Sequence, residues 1–203
     1  GVPLVGLLHP LGWLVRKANM EEVYQWLYTE KETMHRFLRK SNEHVARCVE
    51  AMHKNGIGPY FSITAHEMLI PPWIGRPMFD EYVLPYDSEV NKVIHKGGGK
   101  LRAHCHGECM EYLKPMNEMG IDAIEPLEPA PFGDVDLARA KRIVGDDMLL
   151  SGNVLSQYFP SMTREEVREA VRSSIAAAAG GGGFSLRTTG GTAATNSVKT
   201  PDQ

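Results

Sequence analysis

No apolar stretch in this chain approaches the roughly 20 residues that cross a bilayer. The opening residues Gly1 to Trp13 also lack the charged leader and the small-residue cleavage site of a secretory signal. Cysteine is scarce: Cys48, Cys105 and Cys109 are odd in number and contain no Cys-x-x-Cys pair, so they make no disulfide framework. Cationic excess is missing too, and a net charge of -3 argues against a nucleic-acid partner. These absences predict a soluble protein in a reducing, cytoplasmic compartment, with no membrane or nucleic acid among its partners.

What is present is enough apolar residue to build a core. The 203 residues are 42% hydrophobic, which suits a single domain spanning 1–203. Short apolar runs alternate with helical spacing along nearly the whole chain. Strands are predicted at 2–8, 60–65, 101–106, 122–124, 148–150 and 184–187. Helices are predicted at 20–28, 32–53, 78–95 (with Pro85 as a kink), 108–119, 135–144 and 164–179. Thr163 ahead of Glu165-Glu166 reads as an N-cap, while Gly97 to Gly99 and Gly180 to Gly183 read as helix exits. Six strands joined by helical crossovers imply a parallel α/β sheet. Two closures compete, an open doubly wound sheet and a (β/α)8 TIM barrel, and the barrel is two units short.

The chemistry concentrates at Leu101-Arg-Ala-His-Cys-His-Gly107. Alternation along a strand turns Leu101, Ala103 and Cys105 to one face and Arg102, His104 and His106 to the other. Two imidazoles on one face either hold a divalent metal or form a hydrogen-bonded pair at a strand end. Other polar residues fall where strands are predicted to stop: His9, Glu67, Glu125, Asn153 and Arg187. Either closure gathers such residues at one mouth of the fold.

Several segments together resemble the uroporphyrinogen decarboxylase superfamily, which includes the corrinoid- and coenzyme-M-linked methyltransferases. They are His104 to Gly107, Gly120-Ile-Asp-Ala-Ile124, Leu137-Ala-Arg-Ala-Lys-Arg-Ile-Val-Gly145 and Leu150-Ser-Gly-Asn153, in that family's order and spacing. The resemblance implies the barrel, with this chain representing its C-terminal two-thirds and the N-terminal part lying outside the 203 residues.

It also implies a metal. In the methyltransferase branch a strand-end His-x-Cys and a distant Cys bind zinc, which acts as a Lewis acid on a thiol or leaving group. The matching positions here are His104 and His106, and Thr188 to Gly191 holds no cysteine. The ligand set that remains is His104 and His106 with Glu67 or Glu125, two imidazoles and a carboxylate. The alternative role of Glu67 is a helix cap or an ion pair with Arg76. The implied function is a zinc-dependent methyltransferase moving a methyl group between a small methylated donor and a corrinoid presented by a partner protein. Uroporphyrinogen decarboxylase, which needs no cofactor, is the alternative, and it would use Arg102, Arg187 and His9 to clamp substrate carboxylates and supply a proton. In that branch a late His-Gly is expected where this chain reads Thr188-Thr-Gly-Gly191. A barrel that binds a tetrapyrrole or corrinoid without turnover is the reading outside catalysis. Catalytic roles are therefore assigned to Arg187, Asn153 and His9, and Trp73 is the tryptophan expected nearest the substrate.

Overall fold

The computed structural model describes residues 3–190; the predicted start of the first strand at Val2 and the loop position Gly191 lie outside them. Six strands form one sheet in the order β1-β2-β3-β4-β5-β6, and every neighbouring pair is parallel. They are β1 (Leu4–Leu8), β2 (Tyr60–Thr64), β3 (Lys100–Cys105), β4 (Ala123–Pro126), β5 (Leu149–Val154) and β6 (Phe184–Thr188). A doubly wound sheet reverses its strand order at a switch point, and no reversal occurs here. Crossovers of one hand between strands in sequential order put all the helices on one face, which is how a (β/α)8 barrel wall is built.

The eight helices of the described residues are α1 (Pro10–Lys17), α2 (Met20–Thr29), α3 (Lys31–Lys54), α4 (Arg76–Tyr82), α5 (Leu84–Lys96), α6 (Leu113–Glu118), α7 (Leu137–Val144) and α8 (Arg164–Ala178). None is long and apolar enough to cross a membrane. Their starts are chemically marked: Asn19 Oδ1 accepts from Glu22 N to cap α2, Asp136 caps α7, and Thr163 with Glu166 forms a complete capping box on α8. The single helix predicted at 78–95 is two, α4 and α5, meeting at Val83 just ahead of Pro85. The helix predicted from 108 is a short 3-10 turn at Met110–Tyr112 followed by α6.

Helix α1 was not expected from periodicity. It packs so closely on the end of β2 that a Cβ on Gly12 would lie 2.4 Å from that of Ala65. Glycine removes that clash and lets the helix cross the sheet end.

The core lies between the sheet's outer face and the helices. Phe61, Leu101, Ala103, Cys105, Ile124 and Leu150 alternate outward along their strands and are almost fully buried there. Each large aliphatic or aromatic side chain so buried contributes roughly 1.5–3 kcal/mol. The inner face is different: Leu4, Tyr60 and Leu149 at its lower end stay exposed, and the polar residues collect at its upper end. Among the described residues no strand lies beyond β1 or β6.

Candidate active site

The upper end of the inner face carries a continuous polar chain across β2 to β6, and strand register explains it. His104 stands opposite Glu125, and Arg102 stands opposite Ser62. His104 Nδ1 donates to Glu125 Oε1 at 3.0 Å. Arg102 donates to Ser62 Oγ through Nε and Nη2, at 3.3 and 3.1 Å, and places Nη2 3.3 Å from Glu125 Oε1. From β6, Arg187 crosses β5, whose inward residue is the small Ser151, and its Nη1 pairs with Glu125 Oε2. A carboxylate that is 3% exposed thus holds two guanidiniums and an imidazole.

A second pair sits one step higher. His106 Nδ1 donates to Glu128 Oε2 at 3.0 Å, and Glu128 also accepts from the Gly107 N–H at 3.1 Å and from Gln157 Nε2 at 3.4 Å. The two rings meet edge to face, with centroids 4.7 Å apart. A carboxylate has no proton to give, so Nδ1 of each ring carries one and Nε2 is left for other partners.

The environments push the two histidines apart. Burial, then the charge of His106 and the guanidiniums of Arg102 and Arg187, lower His104 below the ordinary imidazole value. The hydrogen bond to Glu128 raises His106 above it, against the opposing effect of burial. Burial alone would raise Glu128, but the bonds from His106 and Gly107 outweigh it and hold the carboxyl low. Burial also lowers both arginines, and for Arg187 the positive charge of Arg102 adds to the effect.

Two expected residues, His9 and Asn153, lie elsewhere. His9 is fully buried under α1 and α5, not at the mouth. Its Nδ1 accepts from the N–H of Leu11 and Gly12 to cap α1, while its Nε2 donates to Asp87 Oδ1 at 2.7 Å; His66 Nε2 lies 3.1 Å from Asp87 Oδ2. Two imidazoles and a carboxylate already in contact leave His9 no free donor for substrate. Asn153 turns to α8, where its Oδ1 accepts from Ser174 Oγ at 3.0 Å. Glu67 lies in a 3-10 turn after β2 and pairs with Arg16 at 3.2 Å, near enough to the mouth for its charge to favour the protonated forms of His104 and His106, whereas Arg76 pairs with Asp80. Trp73 stacks on Tyr24 at 5.7 Å. The Gly181 to Gly183 turn enters β6 at the end of the sheet opposite the mouth and is tied down by Lys141 Nζ on the Gly182 carbonyl, 2.8 Å away. Cys105 and Cys109 are buried and their thiols are pushed up by burial, Cys109 to about 12, as for packed, protonated side chains.

The four expected ligands do not form a zinc site as they stand. Among the described residues no three His, Cys, Asp or Glu donors converge. Glu125 is committed to two guanidiniums and His104, and Glu67, paired through Oε1 with Arg16 and with Oε2 buried and unpartnered, does not converge on the imidazoles, leaving two Nε2 atoms where a catalytic zinc takes three protein ligands. Two neighbouring guanidiniums further disfavour a cation. Glu128 is the residue that sequence reading undervalued: in Glu125-Pro-Leu-Glu-Pro129 it looks like a solvated turn, yet it is 4% exposed and bonded to His106. Only its distance from the histidine motif on the folded wall reveals it.

Six parallel strands in sequential order with polar side chains at their C-terminal ends define a barrel-type α/β enzyme domain. The chain belongs to the uroporphyrinogen decarboxylase (URO-D) family, whose sequence pattern it matches over residues 12–196. No curated protein matches it in sequence. In structure it is similar to a methyltransferase from Methanosarcina mazei, with a TM-score of 0.73 and 14% identity, over 92% of this chain. The chain spans about half, 52%, of that methyltransferase's length.

Proposed function

We propose that this family member is a methyltransferase that moves a methyl group between a small methylated donor and a corrinoid presented by a partner protein. The observation that carries the reading is the His106–Glu128 pair beside His104 at the strand ends, where the bond to Glu128 raises His106 while burial lowers His104. Two adjacent imidazoles whose proton affinities are driven apart are the arrangement expected of an acid and its neighbour. The fold it shares with a methyltransferase supports the same reading.

Methyl transfer breaks the bond between the methyl carbon and a heteroatom, and the bonding electrons stay on the heteroatom. That atom becomes a better leaving group when it is protonated as the bond breaks. His106 Nε2 is the donor of that proton, and Glu128 both orients the ring and favours its charged form. His104 accepts or relays a proton through Nε2. The proton takes the part that the resemblance assigns to zinc, so the proposal includes no metal.

The test is methylation of cob(I)alamin, followed by its absorbance change, with a panel of methyl ethers, methylamines and methyl thioethers. Transfer from at least one donor is expected, unchanged by chelators and lost in His106→Ala. No transfer from any donor, or transfer abolished by chelation and restored by zinc, overturns the reading. Decarboxylation is the second reading, favoured by one observation, two arginines and a proton donor in one mouth. Carbon dioxide released from uroporphyrinogen would establish it instead.

A further inference from the structure

We propose that Thr189 is a positioning residue of the mouth: acting through Gln157, it steadies the Glu128 carboxylate so that His106 keeps a proton on Nδ1 and turns Nε2 outward. Its effect on rate rests on the reading of His106 as the proton donor. The line of bonds stands without that reading.

The bonds run in one direction. Thr189 follows β6 directly and is 2% exposed. Its Oγ1 donates to Gln157 Oε1 at 3.0 Å, Gln157 Nε2 donates to Glu128 Oε1 at 3.4 Å, and Glu128 Oε2 accepts from His106 Nδ1 and from the Gly107 N–H. A carboxylate only accepts, so the glutamine has to present its NH2 group to Glu128. That leaves the amide oxygen for Thr189, whose hydroxyl supplies the proton. Reversing the amide would set its oxygen against the carboxylate, an acceptor facing an acceptor.

The threonine itself is fixed by its surroundings. Its N–H donates to the Val154 carbonyl at 2.9 Å, and the next carbonyl, of Gly190, accepts from Ser156 Oγ at 3.1 Å and from Thr188 Oγ1 at 2.9 Å. The exits of β5 and β6 are thereby joined, and the hydroxyl is offered to Gln157 from a set place. Gln157 is the movable link, an exposed side chain on the 3-10 turn Ser156–Ser161. An amide anchored at one end rotates, and one anchored at both ends does not. With Oε1 held by Gln157 and Oε2 by Gly107, the carboxylate stays aligned on Nδ1 of His106. A neutral imidazole free in water favours its proton on Nε2, so the Nδ1 form depends on that alignment.

The experiment is nitrogen NMR of the histidine rings in the isotope-labelled full chain at about pH 9, where imidazoles are neutral, with the His106 signals assigned from a His106→Gln spectrum. The native chain is expected to hold the His106 proton on Nδ1. Thr189→Val, close in shape, and Gln157→Ala, at an exposed position, should each move the tautomer ratio toward Nε2 by up to about tenfold, the worth of one hydrogen bond. Thr189→Ser keeps the hydroxyl and should restore the native ratio. His104, bonded to Glu125, should keep its own tautomer throughout, which reports an intact mouth. Glu67 and His104, the other titratable groups that act with His106, are the same in every variant. A His106 proton on Nε2 in the native chain, an unchanged ratio in Thr189→Val, or a loss that Thr189→Ser fails to restore overturns the inference.

The spectra need no substrate, so they stand apart from the methyl-transfer test. Tautomer shifts in a chain that turns over no donor support the positioning role and remove the activity. Where transfer is measured, Thr189→Val should lower kcat about tenfold with KM held within about twofold, and Thr189→Ser should recover it.

Discussion

Two regions of this molecule use the same ingredients for different ends. At the corner of β1, β2 and α5, His9 and His66 share the carboxylate of Asp87; at the mouth, His104 and His106 each bind a separate carboxylate, Glu125 and Glu128. The corner residues are 0–3% exposed, and Nε2 of each ring is spent on Asp87. The mouth histidines are 31% and 38% exposed and keep Nε2 for an outside partner. Histidine beside carboxylate is therefore no sign of catalysis by itself. What separates a structural cluster from a reactive one is whether a ring nitrogen still faces solvent.

The largest expected effect lies at the corner. Asp87→Ala strands two buried imidazoles without an acceptor and should cost about 3–5 kcal/mol in denaturant unfolding. A loss below about 1 kcal/mol would mean that the corner is not the buried pin described here.

The same carboxylate gives a pH prediction. Burial alone would raise Asp87, but His9 and His66 outweigh it and hold it well below the usual carboxylate range. A depressed folded value contributes stability that is fully present above the unfolded pKa, near 4, and is lost as pH falls through the folded value. Asp87→Asn should flatten the stability profile below about pH 4, and an unchanged profile there would remove Asp87 from the account of acid unfolding.

At the mouth the expected effect is on rate. Glu128→Gln keeps an acceptor for the Gly107 N–H but removes the charge that raises His106, so methyl transfer at neutral pH should fall up to about 100-fold, or about 2.7 kcal/mol. The direction of the pH profile is the stronger check. Activity that depends on protonated His106 is lost as pH rises through its pKa, so the basic limb should move to lower pH in this variant. A uniform drop with no shift of that limb would make Glu128 a packing residue.

The smallest effect sharpens the boundary between the regions. Asn153→Ala removes one hydrogen bond to Ser174 and should cost about 1 kcal/mol, with no change in turnover. A large loss of activity at full stability would return Asn153 to the site from which its contact with α8 removes it.

The sequence by itself determined the layers. Period-two alternation over Leu101 to Cys105 is enough to send Leu101, Ala103 and Cys105 under the helices and Arg102 and His104 inward, because a strand's geometry is local. The parallel α/β class and most strand positions follow from the same local rule, and the family followed from short motifs in a fixed order. Tertiary structure alone decided which polar residues meet. His9 and His104 both sit at strand ends and look alike in the sequence, yet α1 and α5 close over one and leave the other open. Glu128 and His106 are 22 residues apart and become partners through the loops that follow β4 and β3. Local patterns fix which way a side chain points, but whether it finds a partner, a helix or solvent depends on the packing of segments distant in the chain.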